Sequence, residues 1–438
     1  MKTNLLESYK GRLAVSESYY AKNHNGEKLS NNKKLVVAKL LENTNKYLNE
    51  AFENSVGTQR TDMGLFRKFS LNLTTVAVPN LIAFDLVIVQ PMSAMSGYVN
   101  YIQYVAGSNK GETKQGDIFN SPFGLGKVDV NYTADRVVET VDATGATVGK
   151  GNFKAAWTPV LKGFFLDANK EKKDLKVTSA AGVVSYVNVA DYTPVEGDKV
   201  AYVYDNQIIP QNDLPIINAE VKMIPLVAKA RRIAIYYSQM AAFQAKTDYG
   251  FDLGDQLAEK AVGQLSYEID TEVTQLLIDN APADNDLVWS KTLPVGVSKQ
   301  EHYAGFVEIL EIARQKIYDR TKRFAPNYML IASNILPILA FIPGFEAAPV
   351  GSVNGPYFAG TLNGLKVFVT PNITAGTFVI GVNGDDMMSS AAVYAPYMPI
   401  VPTQLLGFAD GGMSQGWSTL YDLRLLNDNL LVAGRVTA

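Results

Sequence analysis

The 438 residues predict an α+β chain: strands first, helices in the middle and a mixed unit at the end. Three stretches carry that reading. Asp252 to Ala281 keeps helical spacing over its whole length. Residues 107–220 break into short apolar runs separated by turns rich in Gly, Asn, Asp, Lys and Thr. Residues 325–438 alternate strand-like runs with Gly and Pro.

The elements follow in order. Residues 1–75 read as an N-terminal arm, in which Lys33 to Phe52 has helical spacing with Leu35, Ala38, Leu41, Leu48 and Phe52 near one face. One amphipathic helix must bury that face on its own domain, on another part of the chain or on another subunit. From Val76 to Ala106 the chain turns β-like, punctuated by Pro79-Asn80 and Pro91, and Tyr98 to Val105 is rich in Tyr, Val and Ile. Residues 107–220 predict an antiparallel β excursion with an inserted β domain. Its strand candidates are Lys127–Tyr132, Arg136–Val141, Leu175–Val177, Val183–Val189 and Lys199–Tyr204, with Asp167–Asp174 a solvated turn. Residues 221–324 hold most of the helices. Asn218–Val227 reads as a strand feeding a helix from Ala230 to Lys246, closed by Gly250 in the left-handed conformation.

The long helix is capped by Asp252, whose carboxylate can accept a first-turn N–H, and Pro282 stops it. Its thirty positions would span roughly 45 Å. Leu253, Leu257, Ala258, Ala261 and Val262 share one face; Leu265, Ile269, Val273, Leu276 and Leu277 share another, rotated by roughly 80°. Both halves are therefore expected to be buried, against different partners. A loop at 282–300 and a helix from Glu301 to Arg320 follow. Then come a buried strand at Tyr328–Ala332, a short helix capped by Asn334 with Pro337 in its first turn, and strands at Leu365–Thr370, Thr377–Val382, Ala391–Ile400, Leu420–Leu426 and Leu430–Val436.

Composition excludes several function classes. The apolar fraction is 47% and the charged fraction 19%, a globular balance. The net charge of −3 lacks the basic excess of a protein that grips phosphates, although residues 1–70 carry twelve Lys/Arg against seven Asp/Glu. Absence of cysteine removes disulfides and thiolate metal sites. The uncharged run Phe324–Phe345 is broken by Pro326, Pro337, Pro343 and Gly344, which argues against a membrane span.

No phosphate loop, dinucleotide fingerprint or nucleophile elbow is present. Gly124-Leu125-Gly126 and Gly149-Lys150-Gly151 read as turns, and imidazole could come only from His24 or His302. Asp385-Asp386 after Asn383-Gly384 could hold a cation but reads as a solvated turn. Glu259, Glu268, Asp270 and Glu272 fall on more than one helix face and read as a solvated surface. The 23 tyrosines and 19 phenylalanines lack interleaved basic clusters, so they suit a core or an interface rather than base stacking. No catalytic, cofactor-binding or metal residues are expected.

Several separated blocks resemble a known family. Pro79-Asn80-Leu81-Ile82-Ala83-Phe84-Asp85-Leu86-Val87, Val89-Gln90-Pro91-Met92 and Ser96-Gly97 are similar to the strand signature of T-even-type phage major capsid proteins. So are Ala230-Arg231-Arg232, Tyr237-Ser238-Gln239-Met240, Tyr249-Gly250 and Glu268-Ile269-Asp270-Thr271-Glu272-Val273. The likeness returns at Tyr357-Phe358-Ala359-Gly360-Thr361-Leu362-Asn363-Gly364, Lys366-Val367-Phe368-Val369 and Val393-Tyr394-Ala395-Pro396-Tyr397-Met398-Pro399.

That resemblance implies an HK97-like capsid fold and a structural shell protein of a tailed double-stranded DNA phage. It implies an N-terminal arm at 1–75 and a peripheral-domain strand segment at 76–106. An extended β loop would occupy 107–220 and reach over a neighbouring subunit. A peripheral domain at 221–324 would contain the spine helix 252–281, and an axial domain would occupy 325–400. Strands at 401–438 would return to the core. Hexamers, and pentamers where vertices use the same chain, would close an icosahedral or prolate shell in the virion. The shell would work with portal, vertex or decoration proteins and a transient scaffold, and enclose DNA without reading its sequence. A vertex paralogue or an encapsulin-type compartment is the neighbouring alternative, and an enzyme with a β accessory domain a remoter one. Leu48-Asn49-Glu50 followed by Ala51 has the form of a prohead-protease site in that family.

Overall fold

The computed structural model describes residues 2–23, 26–53, 70–111, 113–119, 126–128, 130–140, 160–166, 172–180, 183–188, 199–207, 209, 211–348, 355–384, 389–403, 405–408 and 411–437. They divide into two compact units, one from residues 1–99 with 224–438 and one from residues 100–223.

The larger unit begins with α1 (Lys2–Ser8), α2 (Lys10–Asn23) and α3 (Asn31–Glu53). On α3, Ala38, Leu41 and Leu48 of the expected face are buried together with Val37 and Leu40, Leu35 is half-buried, and the Phe52 side chain lies outside the described residues. Asn43 Nδ2 donates to the carbonyls of Met92 and Tyr397 at 2.8 and 2.9 Å. The helix therefore docks on its own unit. Residues 70–77 are helical and lead through a tight turn at Val78–Asn80 to α4 (Ala83–Leu86). This corrects the β-like expectation for residues 76–87. Val78, Leu81, Ile82, Ala83, Phe84, Leu86 and Val87 are all buried, and a run that is apolar on every side has no period to choose strand over helix.

Strand β1 (Ile88–Val89) and the long β2 (Ser96–Ala106) follow. The smaller unit contributes β3 (Arg136–Thr140), β4 (Val160–Leu166), β5 (Lys172–Ala180), β6 (Val183–Asn188) and β7 (Lys199–Tyr204), an antiparallel sheet in the order β3-β7-β4-β5-β6. Two expectations fail here. The described part of Lys127–Tyr132 holds no strand, with residues 130–132 in a turn, and the charged stretch at 167–174 is already strand from Lys172, because the ladder with β4 reaches that far. Strand β4 was not anticipated. Val137, Val200, Ala201, Tyr202 and Tyr204 form this unit's interior. Lys110 is buried with them and donates to the carbonyls of Tyr132 and Ala134. Strand β8 (Ile217–Val227) pairs with β2 as a two-stranded ribbon.

Strand β9 (Lys229–Ser238) and α5 (Gln239–Asp248) replace the single helix expected at 230–246. Arg231, Ile233, Ile235 and Tyr237 are half-buried while the residues between them are exposed, the period of two that a strand requires. The ladder runs from Lys229 opposite Tyr421 to Ser238 opposite Gly412. Ser238 then caps α5 by accepting the Ala241 N–H at 3.1 Å, and Gly250 takes the left-handed conformation (φ 75) after the helix.

The long helix, α6 (Leu253–Asp279), is capped by Asp252, whose Oδ1 accepts from the N–H of Gly254 and Asp255 at 2.9 and 3.4 Å. Its buried stripe takes every fourth residue, Ala261, Leu265, Ile269, Val273 and Leu277. Four residues turn the chain by about 400°, so the buried side drifts about 40° per step. Ala261 and Leu265 pack with Ile400 and Trp417, whereas Ile269, Val273 and Leu277 enter the main core. The rotation and the two partners stand as expected, with Leu265 going to the first partner. Burial of the first half does not. Leu253, Leu257, Ala258 and Val262 are half-buried, and the last three line a cavity of ≈1180 Å³ against Ile233 and Ile235. A helical wheel gives direction, not the reach of the neighbouring strand.

The stretch expected to be a loop at 282–300 contains β10 (Ala283–Ser290), because Leu287 and Trp289 are buried on alternate positions. Helices α7 (Lys299–Ala304) and α8 (Phe306–Thr321) meet at Gly305, and Ser298 with Glu301 forms a capping box at the start of α7. The remaining elements are β11 (Tyr328–Ala332), α9 (Leu336–Leu339), β12 (Phe345–Ala347), β13 (Tyr357–Leu362), β14 (Leu365–Thr370), β15 (Thr377–Gly381), β16 (Ala392–Pro402), β17 (Leu406–Gly407), β18 (Gly412–Leu425) and β19 (Leu431–Thr437). Ile335 rather than Asn334 precedes α9, since the Asn334 side chain instead accepts the Gly376 N–H at 3.0 Å.

Seven strands form one sheet in the order β10-β19-β15-β11-β14-β13-β12. All five residues of β11 are buried, as an uninterrupted apolar run in the middle of a covered sheet should be. The β13–β14 hairpin turns on Asn363-Gly364, both at positive φ (48 and 80), the pair that a two-residue turn of this hand favours. The second sheet runs β1-β16-β18-β17, with β9 also on β18.

Candidate functional site, an assembly surface

Of the residues weighed for chemistry, the described ones have the following surroundings. His302 places Nε2 2.9 Å from the Ser290 carbonyl and stacks on Trp289 with 4.7 Å between ring centroids. His24, Asp385, Asp386, Gly124, Leu125 and residues 149–151 lie outside the described residues. Among the described residues no group of three or more His, Cys, Asp or Glu side chains could hold a metal ion. No helix there is long and apolar enough to cross a membrane.

The acidic residues of α6 are only partly the solvated face expected of them. Glu259 is exposed. Glu268 and Glu272 both bind the Arg231 guanidinium of β9, at 3.6 and 2.5 Å. The Tyr421 hydroxyl also donates to Glu272, so burial and then that carboxylate raise its pKa. Asp270 is buried and accepts the Ile82 N–H at 3.0 Å. Burial pushes its carboxyl up to about 8, against the stabilising N–H groups of Ala83 and Ile82 and with the help of nearby Asp85. A helical wheel placed this residue among polar neighbours and missed that the Ile82–Leu86 segment lies on it.

Asp85, with 1% of its side chain exposed, sits in a second polar cluster. Tyr20 Oη and Lys33 Nζ donate to its Oδ1 at 2.8 and 2.9 Å. Lys366 Nζ lies 3.8 Å from the same atom and 2.7 Å from Glu27. Both clusters tie elements of the larger unit together.

What this molecule does present is exposed apolar surface on ordered backbone. On the β2–β8 ribbon, Tyr98, Ile102 and Tyr104 of one strand and Ile217, Val221, Met223 and Val227 of the other are exposed. A second group is formed by Tyr236, Met240, Phe243, Tyr249 and Phe251 with Leu405, Leu406 and Phe408. Within it Tyr236 and Phe408 approach to 6.3 Å, and Tyr249 stacks on Phe251 at 6.1 Å. Exposed apolar side chains gathered in this way mark candidate interaction surfaces. The sequence marked these runs as strands and aromatics but could not mark them as uncovered.

Glu50 is an exposed residue of α3 facing Lys46 at 4.0 Å, and the helix continues to Glu53. The Glu50–Ala51 bond is therefore helical, and the Ala51 side chain lies outside the described residues.

The profile of the family described as Major capsid protein Gp23 matches residues 63–424. This chain belongs to that major capsid protein family. Among its relatives, the major capsid protein of Enterobacteria phage T6 is 23% identical over 85% of this chain and 86% of its own length. That of Enterobacteria phage T4 is 22% identical over 85% and 83%. Solved chains from Mycobacterium phage Cain and Microbacterium phage Oxtober96 are similar at TM-scores of 0.38 and 0.39 and identities of 12% and 11%. They cover 82% and 81% of this chain and 90% of their own length in each case. As a member of the Gp23 family the protein is a structural subunit of a tailed-phage head, located in the virion capsid and assembling into a multimeric shell. The described elements of this family member are mixed helix and sheet, an α+β architecture.

Proposed function

We propose that this capsid subunit acts through its uncovered apolar surfaces and carries no catalytic activity. The observation that carries the reading is the β2–β8 ribbon, which exposes large apolar residues on both strands. A two-stranded ribbon is marginal in water alone, so in the shell its partner is a neighbouring copy. Residues 107–220 then act as the extended loop with its inserted β sheet. Residues 1–75 act as the N-terminal arm, and 76–106 with 221–324 as the peripheral domain. Residues 325–400 act as the axial domain at the capsomer centre, and 401–438 as returning strands. Hexamers close the shell, with portal, vertex or decoration proteins and a transient scaffold as partners. The near-neutral charge suits a container that holds DNA without binding it tightly.

Negative-stain imaging of the purified full chain tests this: hollow polyhedra are expected, and a protein that stays monomeric at high concentration with phage partners present would overturn it. Copy number per head separates a major subunit from a vertex paralogue. Cutting between Glu50 and Ala51 by a head protease is the finest part of the proposal. Such cleavage needs the end of α3 to unwind, and intact mass of the chain in purified heads decides it: a first residue of Ala51 supports it and Met1 ends it.

A further inference from the structure

We infer that Lys33 and Lys366 are interchangeable counter-ions of the buried Asp85, forming a clasp that can let go of the N-terminal helices and close on itself. The geometry has three parts. Lys33, at the start of α3, holds Asp85 Oδ1 at 2.9 Å, with Tyr20 of α2 beside it at 2.8 Å. Lys366, on β14 in the sheet, stands 3.8 Å from the same oxygen and is held off it by Glu27 at 2.7 Å. Glu27, Lys33, Asp85 and Lys366 all line one cavity of ≈280 Å³, which gives the Lys366 ammonium room to close the remaining ångström or so.

The charges are distributed so that separation strands none of them. The N-terminal segment supplies one anion and one cation, Glu27 and Lys33; the body supplies one of each, Asp85 and Lys366. When the segment lifts, the contact that parks Lys366 and the contact that occupies Asp85 are lost together, and the two body groups are left facing each other. Removing a single partner of a buried pair is costly because it leaves an uncompensated charge; this arrangement provides the replacement before the loss. The clasp does not depend on whether the chain is cut at Glu50.

A reading in which Lys366–Glu27 is only a surface pair gives a different mutational pattern, because such pairs contribute little in any background. The test uses the full chain, with equilibrium unfolding and hydrogen exchange of the α3 amides as readouts. Lys33→Met and Lys366→Met are each expected to change the unfolding constant by less than about fivefold. Together they are expected to exceed the product of the two single effects by at least about tenfold, the coupling of residues that share one partner. Effects that simply multiply would overturn the inference.

Should the double variant fail to fold, Glu27→Gln keeps the question open to measurement. By releasing Lys366 it is expected to reduce the loss caused by Lys33→Met, whereas an added loss would overturn the exchange. Lys33→Met combined with Lys366→Arg retains a cation on β14 and is expected to behave like Lys33→Met alone; behaviour like the double Met variant would count against it.

Discussion

Strands β11 and β2 both carry Tyr and Ile side chains, and those side chains end in opposite environments. In β11 every side chain of Tyr328–Ala332 is buried, with β14 on one edge and β15 on the other. In β2, Tyr98, Ile102 and Tyr104 stand 68%, 54% and 54% exposed, and among the described residues β8 is the one strand paired with it. The difference lies partly in the polar residues interleaved along β2 and partly in the strands paired with each. A shell subunit spends part of its strand-forming sequence on a fold completed within the chain and part on contacts that other copies complete.

The sharpest way to break that comparison is at the centre of the buried sheet. Leu330→Ala removes a fully buried side chain of β11 and is expected to cost about 2–5 kcal/mol, read as a lower denaturant midpoint of the isolated subunit. A loss below about 1 kcal/mol would mean that the sheet is not the stability core.

Asp270 probes the same core through pH. Its folded carboxyl titrates near 8, far above an unfolded aspartate, so between about pH 4 and pH 8 the folded state keeps a proton that the unfolded state has released. Stability from this group is complete at the acid end and declines as pH rises through that window, by at most about 1.4 kcal/mol per unit. Asp270→Asn is expected to flatten the decline in urea midpoints measured at about pH 5, 6.5 and 8; an unchanged slope would exclude Asp270 as its source.

A smaller effect is expected at the capping box. Ser298→Ala removes the side chain that accepts the Glu301 N–H at 3.3 Å and should cost about 1 kcal/mol, visible as a modest drop in thermal midpoint.

The ribbon should give the smallest stability change of all. Ile102→Ser with Val221→Ser is expected to alter subunit stability by no more than about 0.5 kcal/mol while preventing particle formation on sizing columns. A variant that loses stability and still assembles would reverse the assignment of the two strand types.

Much of the fold was legible in the sequence because its signals are local. Asp252 as a cap, Gly250 in the left-handed region and the strands at Tyr328–Ala332 and Leu365–Thr370 depend on chemistry within a few residues. Residues 76–87 and 230–238 depart from the sequence expectation for a common reason. Their apolar or mixed runs fit two periods, and the choice came from distant partners, α6 and β18 respectively. Of the candidate surface, the Tyr98–Val105 run was visible as strand, but exposure is a property of what fails to cover a residue. Asp270 was hidden for the converse reason: its partner, the Ile82 N–H, lies 188 positions away.

Strand β19 sits second in its sheet, between β10 and β15, and follows every strand it pairs with. Until residue 437 has been synthesised, β10 and β15 have an empty lane between them, and the sheet that buries Phe378, Val379 and Ile380 remains open. The body on which other copies would build is therefore finished only when this last strand has been made.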